Sequence, residues 1–389
     1  MAQPLQFTFA QDKGVTDMLS WVHFGDLHAS SDDDFGSLNH LQSMIEQVNR
    51  RFSDRVDFAY LPGDNANNGT TEQFQRILAV LRALKLPLYA IPGDHDYEAG
   101  QLDAFNAFSG TRLPMSRMVK GHRCIFLDIV SAGRGGPDFR LSTQDRNWLD
   151  QELDRSNLDR AAPVVLMHAY PGDVVDGESL AFAFARANVA VVDTGHTHYN
   201  ELLNDGYVIY AATRSTGQIE EDEGQPGFSI VAVDGAAVSW KFHRLDAEPP
   251  FVMITHPCDW RLYRRRVALN ATQAKPLVRV LVSDDEVVAV AADLDGVRIA
   301  LAPDANETGM WQAPLPSIAT SERLRLTVTA QTADGRTGQD SIELPAAHAA
   351  SRLSPQAGPL GSDAHVVEAW PEHGILGSQL GPNKNGRHW

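Results

Sequence analysis

Aspartate and histidine residues follow the ends of five apolar stretches of this chain. They are Asp26 and His28; Asp64; Asp94, His95 and Asp96; His168; and His196 and His198. Each apolar stretch predicts a strand, and in an open α/β sheet the loops beyond the carboxyl ends of the strands form the ligand-binding crevice. The five clusters are therefore expected to converge on one site. Imidazole and carboxylate together suit Mn, Fe or Zn better than Ca or Mg, so a metal site is predicted.

Seven of these side chains are candidate metal ligands, which is too many for one ion. They are Asp26, His28, Asp64, Asp94, His168, His196 and His198. Two divalent ions about 4 Å apart that share a carboxylate can polarise a phosphoryl group and lower the pKa of a bridging water. The sequence thus predicts two transition-metal ions (Mn, Fe or Zn) as cofactors, with a metal-bridging hydroxide that attacks phosphorus.

The segments between the clusters predict alternating strands and helices. Apolar runs predict strands at 21–25, 56–61, 86–91, 125–130, 164–167, 189–193, 207–212, 228–233 and 238–242. Apolar residues at helical spacing and capping signals predict helices through 38–52, 70–84, 142–153 and 180–187. The first three strands form a β-α-β-α-β unit, for which right-handed crossovers imply a parallel sheet.

The residue pattern changes at the proline-containing segment 247–250, beyond which helical periodicity disappears, and this segment predicts a linker. Beyond it, short strands are predicted at 277–282, 287–292, 297–302 and 324–330, a pattern typical of a β-sandwich. The sandwich resembles immunoglobulin-like modules. We therefore divide the chain into an α/β domain at 1–246, a β-sandwich at 250–345 and an extended tail at 346–389.

Composition narrows the classes of function. The chain has 389 residues and a net charge of -17, from 33 Lys and Arg against 50 Asp and Glu. So negative a surface disfavours binding of long nucleic acids, although bound cations can still attract a small anion. Two cysteines make no disulfide framework, and we expect neither a secretory signal nor a membrane span. A cytoplasmic protein with a small phosphate-ester substrate is expected, with homo-oligomerisation left open.

The order of the motifs resembles that of the calcineurin-like metallophosphoesterases. Asp-x-His, Gly-Asp, Gly-x-His-Asp, a lone histidine and Gly-His-x-His occur in turn, and the resemblance covers residues 18–245. It implies a four-layer αββα sandwich. It also implies a first metal held by Asp26, His28, Asp64 and His198, and a second held by Asp64, Asp94, His168 and His196, with Asp64 bridging. His95 would then protonate the leaving group, and Asp96 would orient His95 from the second shell.

The chain departs from the family pattern at Asp94, where the family usually has asparagine. The added carboxylate should bind the second metal more tightly and weaken it as a Lewis acid. Purple acid phosphatases carry Asp-x-Gly and a tyrosine ligand, where this chain has His28 and Asn67. A tyrosinate-coloured iron centre is therefore not expected. The motifs resemble more closely the bacterial cyclic-nucleotide and glycerophosphodiester phosphodiesterases.

Two further residues, Tyr170 and Arg214, follow strand ends and are candidates for binding the substrate. The guanidinium of Arg214 fits a phosphate, and a surface salt bridge explains it equally well. The function predicted is a dinuclear phosphodiesterase acting on a small diester. The alternatives are a phosphomonoesterase with the same metal chemistry and a non-catalytic scaffold, which would have no need of His95 as a general acid. A nuclease is disfavoured by the net charge.

Overall fold

The computed structural model describes residues 17–32, 35–135, 138–218, 224–264, 277–284, 286–316 and 323–344. The tail predicted at 346–389 lies outside these ranges. Within them, no helix combines the length and the apolar composition that a membrane crossing requires.

Two sheets form the centre of the first part of the chain. Their strands are β1 (Leu19–His23), β2 (Phe58–Leu61), β3 (Leu88–Ala90), β4 (Met115–Val119), β5 (His122–Phe126), β6 (Val164–Leu166), β7 (Val191–Thr194), β8 (Glu201–Asn204), β9 (Ile209–Ala212), β10 (Gly227–Asp234) and β11 (Ala237–Arg244). The first sheet has the order β11-β10-β1-β2-β3, and the second has the order β4-β5-β6-β7-β9-β8. β1, β2 and β3 are parallel, as predicted, and so are β5, β6, β7 and β9. The loops after the parallel strands therefore open at one edge of each sheet.

Helices cover the outer faces of the two sheets. They are α1 (Ser37–Arg51), α2 (Thr71–Leu81), α3 (Asp103–Ser109), α4 (Thr143–Ser156) and α5 (Gly177–Arg186). The apolar faces of α1, α2 and α3 pack on the first sheet, and those of α4 and α5 pack on the second. Trp21 and Phe58 of the first sheet pack with Phe126 of the second in the core between them. The four-layer αββα prediction is confirmed.

Some element boundaries differ from the sequence predictions. The strand expected at 125–130 is β5, which ends at Phe126, although Leu127, Ile129 and Val130 stay buried. The strand expected at 207–212 begins only at Ile209, after a turn that contains Tyr207. β4, β8 and α3 were not predicted. A continuous apolar run indicates burial and does not mark where the backbone leaves the strand.

The second part of the chain is a β-sandwich of two four-stranded sheets. Its strands are β12 (Val252–His256), β13 (Leu277–Val282), β14 (Val287–Leu294), β15 (Val297–Ala300), β16 (Ala302–Pro303), β17 (Met310–Pro314), β18 (Leu324–Thr332) and β19 (Thr337–Leu344). The orders are β12-β13-β17-β16 and β15-β14-β18-β19, all antiparallel. Their facing apolar side chains form a separate core, so a β-sheet unit after the αββα sandwich is confirmed. The domain boundaries and the immunoglobulin-like topology stay predictions.

Candidate metal centre

The structure brings the seven candidate ligands together at the edge where the parallel strands end. In chain order, Asp26 and His28 follow β1, Asp64 follows β2, Asp94 follows β3, His168 follows β6, and His196 and His198 follow β7. They form two groups, Asp26, His28, Asp64 and His198, and Asp64, Asp94, His168 and His196. Within each group the ligand atoms lie within 4.8 Å of one another, and Asp64 belongs to both. These are the two sets that the family resemblance implied.

The spacing of the ligand atoms suits a coordinated ion. Nε2 of His28 lies 2.9 Å from Nε2 of His198, and 3.6 Å from Oδ2 of Asp64. In the second group, Nε2 of His168 lies 3.5 Å from Oδ2 of Asp64 and 3.2 Å from Oδ1 of Asp94. Ligands bound at about 2.1 Å to one ion are spaced by roughly 3.0 to 3.4 Å in octahedral or tetrahedral geometry. The donor set and its spacing therefore fit two metal ions.

Four of the seven candidate ligands have a left-handed backbone. The φ angles are 46° at His28, 47° at Asp64, 68° at His196 and 64° at His198. Residues other than glycine adopt such angles in only a few per cent of cases, and each costs on the order of 1–3 kcal/mol. The surrounding hydrogen bonds offset this cost: the N–H of His28 donates to the carbonyl of Asp64 at 2.8 Å. Such strain, concentrated on one cluster, is typical of functional sites.

Glycines let the ligand loops approach each other closely. A Cβ on Gly93 would lie 2.2 Å from Oδ1 of Asp64, and one on Gly195 would lie 2.2 Å from Oδ1 of Asp26. Real Cβ atoms do not come so near to another atom, so a side chain at either position would displace a candidate ligand. The glycines in the Gly-x-His-Asp and Gly-His-x-His motifs are thus required by packing as well as by the turn.

Burial dominates the electrostatics of Asp26, His28 and His198 in the first group. It lowers the pKa of His28 to about 4 and that of His198 to about 3, so both imidazoles are neutral at pH 7, the form that binds a metal. Burial, together with the charge of Asp64, raises the pKa of Asp26 to about 7. One Asp26 oxygen accepts the N–H of His196 at 2.7 Å, which joins the loop after β1 to the loop after β7.

In the second group, neighbouring charges outweigh burial. Burial alone would raise the pKa of Asp94, but hydrogen bonds and charge from His168 and His196 lower it. The pKa of His168 is likewise raised well above its usual value by Asp64 and Asp94, against the effect of burial. Asp94 is therefore ionised and His168 carries a proton, and a metal ion bound between them would take the place of that proton. The ring of Phe139 packs edge-on against His196, with centroids 4.9 Å apart.

His95 lies at the rim of the site, and its partners differ from those predicted. Its Nδ1 is 3.0 Å from the carbonyl oxygen of Asn67 and 2.9 Å from Oε1 of Glu98. Asn68 donates to the other oxygen of Glu98 at 2.7 Å. Because Nδ1 faces two acceptors, it carries the hydrogen, and Nε2 is the nitrogen that can reach a substrate. Burial lowers the pKa of His95, but Asp64, Asn67 and Glu98 outweigh it and raise the pKa above its usual value.

Asp96 does not orient His95, so that prediction was wrong. Its carboxylate accepts the backbone N–H groups of Asn65, Ala66 and Gly93 at 3.2, 2.8 and 2.9 Å, and the side-chain amide of Asn65 at 2.8 Å. It thereby joins the loop after β2 to the loop after β3. The carboxylate that contacts His95 is that of Glu98, which the sequence analysis missed. The available signal was its position three residues after His95, which is one turn of a 3-10 helix.

The two candidate substrate-binding residues, Tyr170 and Arg214, are both buried, and their role in binding a substrate stays a prediction. Tyr170 is 2 % exposed and packs in the core against Tyr210. Arg214 is 3 % exposed, donates to the carbonyl of Gln225 and lies over the ring of Phe242, 4.1 Å from its centroid. A strand-end position in the sequence did not indicate which way either side chain turns.

Comparison with known proteins finds similarity to one family over part of the chain. Residues 20–200 match the family model described as calcineurin-like phosphoesterase. The chain is 21 % identical over 234 residues to a protein of Fibrobacter succinogenes named as a probable cyclic nucleotide phosphodiesterase, covering 56 % of this chain and 85 % of that protein. Among solved structures, the yellow lupin (Lupinus luteus) purple acid phosphatase PPD1 is 15 % identical and has a TM-score of 0.46, with 60 % of this chain and 52 % of that chain covered. GAP50, the anchor in the inner membrane complex of Plasmodium, is 13 % identical with a TM-score of 0.42, covering 60 % and 86 %.

Proposed function

Because the chain contains a calcineurin-like phosphoesterase domain, we propose that it is a dinuclear metal-dependent phosphodiesterase that hydrolyses a small phosphodiester. The family implies a metal-dependent phosphoric ester hydrolase. The observation that carries the finer proposal is the pair of four-residue groups that share Asp64. A shared carboxylate between two sets of imidazole and carboxylate donors is the arrangement that a two-metal hydrolytic site requires.

The candidate ligands would divide the binding of the two ions. Asp26, His28, Asp64 and His198 would hold one, and Asp64, Asp94, His168 and His196 would hold the other. When bound, two Mn, Fe or Zn ions supply Lewis-acid activation of a phosphoryl group and of water. The chain's own residues would hold the ions at the edge where the parallel strands end and supply a proton to the leaving oxygen.

His95 is the residue proposed to supply that proton. Its Nδ1–H is held by the carbonyl of Asn67 and by Glu98, so the ring is fixed and Nε2 is directed to the rim of the site. The side chain of His95 is 31 % exposed, which leaves it accessible to a ligand. A raised pKa favours the protonated form, which a general acid needs at the start of the reaction.

The substrate is proposed to be a small diester rather than a long polymer. The net charge of -17 opposes the approach of a polyanion, whereas the charge of two bound cations acts only at short range. The name of the Fibrobacter relative supports the inclusion of cyclic nucleotides among the diesters tested. A phosphomonoesterase is the alternative activity, since both reactions use the same metal chemistry.

The test uses the full chain, treated with a chelator and reloaded with Mn²⁺, Fe²⁺ or Zn²⁺. Bis(4-nitrophenyl) phosphate and 4-nitrophenyl phosphate share a leaving group, so their turnover compares diester with monoester directly, and cyclic nucleotides are assayed in parallel. Faster turnover of diesters supports the proposal, and faster turnover of the monoester supports the alternative. Absence of bound metal and of turnover with every ion would contradict both and leave the scaffold.

Three variants separate the proposed roles. His95→Ala should lower kcat by roughly 10²- to 10⁴-fold with both metals retained. Asp64→Asn should reduce the metal content as well as the turnover, because Asp64 belongs to both groups. His256→Ala is the matched control, since this histidine lies in β12 and contacts the carbonyl of Leu277. Equal loss of activity in all three variants would indicate a general effect on folding.

A further inference from the structure

A buried polar cluster joins the two sheets beneath the candidate metal centre. Nε1 of Trp21 donates to Oδ2 of Asp193 at 2.7 Å, and Nδ1 of His23 donates to Oδ1 of the same carboxylate at 2.8 Å. All three residues are 0 % exposed. Trp21 and His23 lie on one face of β1, while Asp193 lies on β7 of the other sheet. We call Trp21, His23 and Asp193 the inter-sheet tie.

The inter-sheet tie lies directly below two of the ligand loops. His23 precedes Asp26 by three residues on β1, and Asp193 precedes His196 by three residues on β7. A hydrogen bond also joins the two loops themselves, because Asp26 accepts the N–H of His196 at 2.7 Å. Asp26 belongs to the first ligand group and His196 to the second. A change in the separation of β1 and β7 would therefore shift both groups relative to each other.

Stability alone does not account for a carboxylate at this position. Removing a carboxylate from water costs several kcal/mol, and replacement of a buried ionic contact by apolar side chains of similar volume is often neutral or stabilising. Aromatic rings pack against the tie: Trp21 stacks on Phe58 with centroids 5.6 Å apart, and His23 packs edge-on against Tyr60 at 5.1 Å. An apolar core would fill this space, but it would not set a hydrogen-bonded distance between the two sheets.

We infer that Trp21, His23 and Asp193 are positioning residues, which hold the loops after β1 and β7 at the separation that the two metal ions require. The two hydrogen bonds to one carboxylate fix both the distance and the rotation of β1 against β7. The inference rests on the proposed function, because it concerns the metals of that same site. It assigns to the tie a role in metal affinity and not in proton transfer.

The test measures Mn²⁺ binding by calorimetry to the chelator-treated full chain. A double variant, His23→Phe with Asp193→Leu, replaces the tie by apolar side chains, and circular dichroism checks that it folds. Its Mn²⁺ affinity should fall roughly 10- to 100-fold, the range seen when groups that orient metal ligands are removed. Asp193→Asn keeps one acceptor oxygen of the two and should give a smaller loss of affinity.

The matched control is His122→Phe. His122 is also a buried strand histidine, 0 % exposed, whose Nδ1 hydrogen-bonds to the carbonyl of Ala162 at 2.8 Å, away from the ligand loops. It should lose stability while keeping the wild-type Mn²⁺ affinity. Trp21→Phe keeps an aromatic ring against Phe58 and removes the N–H together with part of the buried ring volume, so it tests the tie if the double variant does not fold.

The outcomes separate this inference from the proposed function. Wild-type protein that binds none of Mn²⁺, Fe²⁺ and Zn²⁺ would refute the proposed function itself, and where another of these ions binds in place of Mn²⁺, the tie variants are compared with that ion. Wild-type protein that binds Mn²⁺, with folded tie variants that bind it within twofold of wild type, would overturn the inter-sheet tie alone. An affinity loss in His122→Phe equal to that of the tie variants would also overturn it, because the effect would then follow from lost stability.

Discussion

Replacement of Asp96 should destabilise the protein in proportion to the number of hydrogen-bond donors that lose their acceptor. One carboxylate oxygen accepts the N–H of Asn65, the side-chain amide of Asn65 and the N–H of Gly93, and the other accepts the N–H of Ala66. Asp96 is 0 % exposed, so water cannot replace it as the acceptor without local opening of the loops. Asp64 and Asp94 lie on the same two loops, and a weakened loop should also bind metal less well.

The structure allows the cost to be worked out for two substitutions. In Asp96→Asn, the amide oxygen can take the place of the carboxylate oxygen that accepts three bonds, and the amide NH₂ then faces the N–H of Ala66. The N–H of Ala66 loses its acceptor and the NH₂ that faces it is a second buried donor, and each such donor costs about 1–3 kcal/mol. Asp96→Ala leaves four donors without an acceptor, which at about 1 kcal/mol or more each comes to at least about 4 kcal/mol. That is a large part of the 5–15 kcal/mol typical of a folded domain.

Urea unfolding of the chelated protein at pH 7 measures these differences, and metal analysis measures the effect on the site. The comparison variant is Glu98→Gln, which alters the partner of His95 and leaves the hydrogen bonds of Asp96 intact. If Asp96→Asn were as stable as wild type and instead changed kcat and its pH profile as Glu98→Gln does, the assignment of Asp96 to the loops would be wrong. Its original assignment to His95 would then be correct.

Three further predictions concern single side chains. Asp94→Asn should keep both metals without lowering turnover, because an amide oxygen still binds the second ion and the lost negative charge strengthens it as a Lewis acid. Glu98→Gln should lower kcat about tenfold and move the alkaline limb of its pH profile to lower pH, because the charge of Glu98 raises the pKa of His95. His243→Phe should reduce the loss of stability at acid pH. Burial lowers the pKa of His243 to about 3 in the folded chain, whereas in the unfolded chain it is about 6.5. Below about pH 6.5 the unfolded chain therefore binds the proton first, and the free energy of unfolding falls by up to about 1.4 kcal/mol per pH unit.

Each of these has a result that would contradict it. Elemental analysis that finds one metal in Asp94→Asn would show that the carboxylate is needed as a ligand. An unchanged alkaline limb in Glu98→Gln would remove Glu98 from the proton-donating role of His95. For His243, which packs among Phe52, Phe228 and Phe251, wild type and His243→Phe would be compared by urea unfolding at pH 7 and 5. Equal losses of stability in the two proteins would contradict the prediction.

Two of the strands that the sequence analysis missed, β4 and β8, share a physical reason. β4 is an edge strand in which only Met115 is buried, so it lacks a clear apolar pattern. β8 is buried throughout yet begins with Glu201 and ends with Asn204, and polar residues at buried positions conceal a strand. Both strands lie at the edges of the second sheet, where pairing with a neighbour decides the conformation. The central strands, with continuous apolar runs, were predicted within a few residues.

The sequence by itself determined which seven side chains meet, because parallel strands must end at one edge of a sheet and each carries its Asp or His there. Only the tertiary structure decided which groups the other candidate site residues contact. Asp96 accepts hydrogen bonds from backbone N–H groups 3 to 31 residues away in sequence. Glu98 is the carboxylate that contacts His95. The side chains of Tyr170 and Arg214 are buried. The tertiary structure also revealed that His23 and Asp193, 170 residues apart, share a hydrogen bond between the sheets. Spacing along the chain specifies the backbone position from which a side chain extends, whereas the packing of distant strands determines which groups that side chain contacts.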